Sequence, residues 1–137
     1  MLKLHHIGIV VSKISNSFPE LTKYIKFEKT TIPIFITSQK VNVCFLKIGE
    51  FNLELIEPVG EDSPVATFAN KGGGFHHLCF EVKNIREKLD EFVKNGARII
   101  VEPVIGFEGR LTAFVLLNMK DTKINLVELA EEEPVKS

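Results

Sequence analysis

The chain has 137 residues, 45% of them hydrophobic and 26% charged, with a formal net charge of −1. That length suits one well-packed domain spanning 1–137, and the near-neutral balance offers no basic excess for a nucleic-acid backbone. The N-terminus lacks the apolar core of a signal peptide, and no stretch approaches the ~20 apolar residues of a membrane span, so a soluble cytoplasmic protein is expected.

Leu4–Val11 reads as a strand, being rich in Ile and Val. Ser12–Phe27 reads as a helix: Ile14, Phe18, Leu21 and Ile25 recur at helical spacing, Ser15, Asn16 and Ser17 offer caps, and Pro19 belongs near the first turn. Thr30–Thr37, interrupted by Pro33, is expected as an edge strand or extended loop. Val41–Ile48 and Asn52–Glu57 flank Gly49-Glu50 as a hairpin. In the connector Gly60–Gly74, Ser63-Pro64 signals a short helix and Gly72-Gly73-Gly74 ends it.

The pattern then restarts. Phe75–Val82 is a strand, and Asn84 caps a helix whose apolar stripe is Ile85, Leu89, Phe92 and Val93, closed by Gly96. Arg98–Val101, Leu111–Leu117 and Lys123–Ala130 supply three more strands, and Glu131–Ser137 is a charged tail. The expected organisation is an α+β fold of two tandem βαβββ modules, about 3–58 and about 75–130, joined by a connector over about 59–74. The two cysteines, Cys44 and Cys79, lie in apolar runs and make neither a zinc motif nor a disulfide framework.

The clearest sign of duplication is His5-His6-Ile7-Gly8-Ile9-Val10-Val11, which returns as His76-His77-Leu78-Cys79-Phe80-Glu81-Val82. Both read His-His-apolar-small-apolar-x-Val, and these four are the only histidines in the chain. Strand alternation puts Ile7, Ile9 and Val11 on one face, under the helix, and His6 with Gly8 on the other. It likewise separates Leu78, Phe80 and Val82 from His77, Cys79 and Glu81. His5 and His76 share the parity of the core residues, which suggests structural or supporting roles.

The last strand of each module carries a carboxylate among apolar neighbours: Glu54 between Leu53 and Leu55, and Glu128 between Val127 and Leu129. An isolated charge in such a run is costly to bury, and a metal or cation offsets the cost. Taken singly, a His at a strand start is usually hydrogen-bonded or solvated, and a strand Glu often faces water. Their recurrence at matching places in both modules favours an octahedral divalent-metal set of His6, Glu54, His77 and Glu128, with positions left open for a ligand.

The βαβββ repeat, His6 before Ile7-Gly8-Ile9, and Glu128 within Leu126-Val127-Glu128-Leu129 resemble the vicinal oxygen chelate (glyoxalase/bleomycin resistance/dioxygenase) superfamily. Within it, Phe45–Gly49, Leu53–Pro64 and Gly73–Val82 are most similar to the methylmalonyl-CoA epimerases. The resemblance implies a curled mixed sheet around a half-open metal-binding cleft. It carries His6, Glu54, His77 and Glu128 over as ligands of a divalent cation: Co, Ni, Mn, Zn or Fe. It also implies an acyl-CoA or related small-molecule substrate, with Glu128 as a catalytic acid–base group in proton abstraction next to a carbonyl. Relatives often dimerise, and exposed sheet edges favour a homodimer. Three positions depart from the epimerase pattern: Ser38 stands where a second base is usual, Glu108 lies in Gly106-Phe107-Glu108-Gly109, and Asn118 replaces a histidine. Glyoxalase I-type isomerisation and non-catalytic binding of the resistance type are the alternatives. Iron-dependent ring-opening oxygenation is disfavoured by Glu54.

Overall fold

The computed structural model describes residues 2–136. Among the described residues, nine strands and three helices make a mixed α+β fold in which a β-α-β pattern occurs twice. The chain divides into two compact units: His6–His76, and the remainder up to His5 and from His77 onward. In both strands that cross from one unit to the other, the boundary falls between the two histidines of a pair.

In the first unit, β1 (Lys3–Val10) is followed by α1 (Ile14–Thr22), two short strands β2 (Lys29–Thr30) and β3 (Ile34–Ile36), the hairpin β4 (Val41–Ile48) and β5 (Phe51–Pro58), and the short α2 (Ala66–Asn70). β1 lies parallel to β5, which pairs antiparallel with β4; β2 and β3 both add to the outer edge of β4. Alternation works as the sequence suggests. Ile14, Cys44, Leu46 and Leu55 form a buried core, joined by Ile9, Val11, Phe18, Leu21 and Leu53. Complete burial of a leucine such as Leu46 contributes roughly 1.5–3 kcal/mol.

Helix α1 is shorter than its sequence pattern. The apolar stripe packs only through Leu21, Tyr24 is 87% exposed, and the Thr22 hydroxyl donates to the carbonyls of Phe18 and Pro19 at 3.0 and 3.2 Å. Pro19 therefore stands inside the helix, and the cap position is Lys13, whose side chain makes no capping bond. The expected serine caps are replaced by a carboxylate from β5: Ile14 N–H donates to Glu57 Oε1 at 2.7 Å.

The second unit repeats the plan. β6 (Gly74–Val82) leads into α3 (Ile85–Lys94), then β7 (Arg98–Ile105), a 3₁₀ turn (Phe107–Gly109), β8 (Arg110–Leu116) and β9 (Leu126–Pro134). β6 is parallel to β9, and β8 pairs antiparallel with both β9 and β7. Asn84 caps α3 as expected, its Oδ1 accepting the Glu87 N–H at 3.1 Å. Ile85, Leu89, Val115, Val127 and Leu129 centre a second core. β9 runs beyond Ala130, so Glu131–Glu133 are strand and not tail. The Glu131 carboxylate accepts the Ile85 N–H, and the Arg110 guanidinium donates to the Glu131 carbonyl, which holds this charged segment in place. Among the described residues no helix is long and apolar enough to cross a membrane.

Candidate metal-binding residues

Each unit brings one histidine and one glutamate together. In the parallel β1–β5 register, Gly8 stands opposite Glu54. His6, two residues earlier on the same side of β1, leans forward along the strand, and its Nε2 lies 3.2 Å from Glu54 Oε1. In the β6–β9 register Cys79 stands opposite Glu128, and His77 Nε2 lies 3.0 Å from Glu128 Oε1. The small residue of the repeated motif is thus the lateral neighbour of the carboxylate in both units, leaving width for the imidazole and the acid to meet.

All four residues are at most 4% exposed. Burial of an ionised carboxylate demands a partner, and the histidine supplies one. The separations carry further information. Two cis donors bound at about 2.1 Å to an octahedral cation stand roughly 3 Å apart. Each His–Glu pair already has that spacing, and its mixed nitrogen and oxygen donors suit a divalent transition metal.

An aromatic residue completes each pair. Phe45 is the β4 partner of Glu54 and sets its ring edge-on to His6, with centroids 5.3 Å apart and planes at 63°. Phe114 is the β8 partner of Glu128 and meets His77 in the same way, at 5.4 Å and 83°. T-shaped packing against a ring fixes the imidazole plane. Sequence reasoning passed over both phenylalanines. The available signal was hairpin register: pairing β4 with β5 about Gly49-Glu50 places Phe45 opposite Glu54.

The other two histidines, for which parity suggests structural or supporting roles, make ring contacts. His5 packs on Phe107, with ring centroids 5.0 Å apart, and His76 meets Phe68 edge-on at 5.3 Å. Both cysteines are buried. Burial pushes the Cys44 thiol up to about 11, with Glu54 and Glu57 adding to the shift.

The three departing positions have distinct settings. Ser38 is exposed in the turn before β4. Glu108 adopts φ +54°, and its carboxylate is held by the Arg110 guanidinium at 2.9 and 3.0 Å. Arg110 also pairs with Glu81 at 2.7 Å and covers the Phe107 ring. Burial works against its charge, but the carboxylates of Glu81 and Glu108 outweigh that and raise its pKa. Asn118 and Met119 line a pocket of about 300 Å³ with Phe92, Asn95, Ala97 and Leu117.

Residues 5–114 match the model of the Glyoxalase/Bleomycin resistance protein/Dioxygenase superfamily. The chain belongs to this superfamily. Human mitochondrial methylmalonyl-CoA epimerase is 35% identical across 94% of the chain and 73% of its own length. An ethylmalonyl-CoA/methylmalonyl-CoA epimerase from Cereibacter sphaeroides is 33% identical, across 94% of this chain and 97% of that one. A solved structure of methylmalonyl-CoA epimerase in complex with methylmalonyl-CoA and ammonium superposes with a TM-score of 0.82 at 27% identity, covering 100% and 99% of the two chains. The superfamily assignment agrees with the α+β repeat, and the relatives named epimerases indicate an isomerase.

Proposed function

We propose that this superfamily member is a divalent-metal-dependent epimerase that removes and returns the proton next to the thioester carbonyl of methylmalonyl-CoA. The observation that carries the reading is the duplicated buried His–Glu pair, each already at the separation of two ligands on one cation. In this reading His6, Glu54, His77 and Glu128 jointly hold one cation. When bound, that cation supplies Lewis-acid stabilisation of the negative charge that develops on the thioester oxygen.

The chain's own residues do the rest. His6 and His77 present nitrogen donors in planes set by Phe45 and Phe114. Glu54 and Glu128 balance charge in a dry setting. Glu128 takes up the α-proton, a role open to a carboxylate that has a histidine beside it and little water around it, and a second acid delivers a proton to the opposite face, which inverts the centre. Glu108 is engaged by Arg110. Isomerisation of a thiohemiacetal would employ the same Glu128, but relatives named for thioester epimerisation favour the first reading.

The test is isotope exchange. Metal-loaded protein, incubated with methylmalonyl-CoA in deuterated water, should incorporate deuterium at the α-carbon. Glu128→Ala should lower exchange at least about 100-fold and reduce bound metal. No exchange with any of Co, Ni, Mn, Zn or Fe, in protein shown to bind the metal, overturns the reading.

A further inference from the structure

The first unit carries a row of residues whose partners run straight across its sheet. Lys29 of β2 pairs with Lys47 of β4, Lys47 pairs with Asn52 of β5, and Asn52 pairs with His6 of β1. Directly paired residues project to the same side of a sheet. Lys29 and Lys47 therefore share the face of His6, and Phe45 and Glu54 follow in the next row. The opposite face, with Leu46 and Leu55, is packed under α1.

Two lysines directly opposite one another repel. Both are exposed, and among the described residues neither forms an ion pair. The nearest acid in sequence, Glu28, is occupied elsewhere, accepting the Gly49 N–H at 3.2 Å. A two-residue edge strand whose first residue repeats the charge of its partner gains nothing in stability from that choice. An anion placed between the two ammonium groups removes the repulsion and gains charge-assisted hydrogen bonds.

We propose that Lys29 and Lys47 bind the phosphate groups of the coenzyme A portion of an acyl-thioester, which deepens the acyl-CoA reading above and rests on it for the identity of the ligand. Three strand spacings separate β2 from β1, roughly 14 Å of backbone. Each lysine side chain extends the reach. This span is comparable to the arm that separates a thioester sulfur from the pyrophosphate of coenzyme A. A ligand lying along the row would meet lysine at its phosphate end, Asn52 midway, and His6 at its acyl end. The arrangement acts on binding and not on the chemical step, because the charges are far from the reacting carbon.

The experiment uses full-length Lys29→Ala/Lys47→Ala and Lys29→Glu/Lys47→Glu proteins. The alanine variant removes the like-charge pair and should leave Tm unchanged or slightly raised, whereas the glutamate variant keeps a like-charge pair of opposite sign and should match wild type in Tm, so loss of fold is not expected to mask the result. Calorimetric titration with free coenzyme A should show binding that weakens about tenfold or more in the double variants and with added salt, whereas pantetheine, which has no phosphate, binds all forms equally. For methylmalonyl-CoA turnover, KM should rise about tenfold with kcat within twofold of wild type. Unchanged coenzyme A affinity in both double variants overturns the lysine site, even if epimerisation is confirmed. Lysine-dependent coenzyme A binding by a protein that does not exchange the α-proton upholds the lysine site and overturns the epimerase reading alone.

Discussion

Glu131 accepts the first backbone N–H of α3, that of Ile85, at 3.0 Å. Glu57 does the same for Ile14 of α1 at 2.7 Å. Each acid lies three residues after a buried glutamate, Glu128 or Glu54, so one strand sends a carboxylate to the face of the histidine and another to the helix start. Negative charge at a helix N-terminus is favourable, and the bond satisfies an amide that no side-chain cap on Lys13 serves. Glu57→Ala and Glu131→Ala should each cost about 1–2 kcal/mol in urea unfolding, and the corresponding Gln variants about half as much. Equal stabilities of wild type and Ala variants would contradict the assignment.

Gly73 has φ +65°, and a Cβ there would stand 2.3 Å from the Val10 carbonyl oxygen. Gly72 also has positive φ, but a Cβ on it would meet nothing within 4 Å. Gly72→Ala should therefore cost only backbone strain, about 1–2 kcal/mol, whereas Gly73→Ala should exceed about 3 kcal/mol because backbone must move. Paired thermal melts check the order. The reverse ranking would show that the connector relaxes around position 73.

Cys44 links stability to alkaline pH. Its thiol is raised from 9.0 to about 11 in the folded protein by burial, with help from Glu54 and Glu57. Below pH 9 both states keep the proton, and the contribution to stability is complete. Between pH 9 and 11 the unfolded chain releases a proton that the folded protein retains, so stability falls as pH rises. Cys44→Ala should flatten this decline. Urea midpoints measured across that range give the slope, and an unaltered slope in the variant would remove Cys44 as its source.

Glu108 is tied to Arg110 and half exposed, so Glu108→Ala should leave kcat within about twofold. Steady-state kinetics with methylmalonyl-CoA test this. A drop beyond tenfold would assign the residue to the chemistry after all.

Much of this was legible because two periodicities are strong. Alternation separated His6 and His77 from the core faces, and the repeat supplied the element order, the Asn84 cap and the partnering of each histidine with a glutamate. What escaped depends on contacts between distant segments. Phe45 and Phe114 look like ordinary core aromatics until strand register sets them opposite Glu54 and Glu128. Ser15 and Ser17 have the chemistry of caps but fall inside α1, and a carboxylate arriving from β5 takes the first amide. Glu131–Glu133 have the composition of a loose tail and become strand through bonds to Ile85 and Arg110, which no local pattern encodes.

The parallel pairing of β1 with β5 and of β6 with β9 also has a kinetic meaning. His6 meets Glu54, and His77 meets Glu128, only after some fifty residues of intervening chain have folded back, so each pair closes a long loop. Contacts of that kind belong among the last to form. A cation held by them would leave the folding rate nearly unchanged and slow unfolding instead, making the metal a brake on opening and chelation the release of that brake.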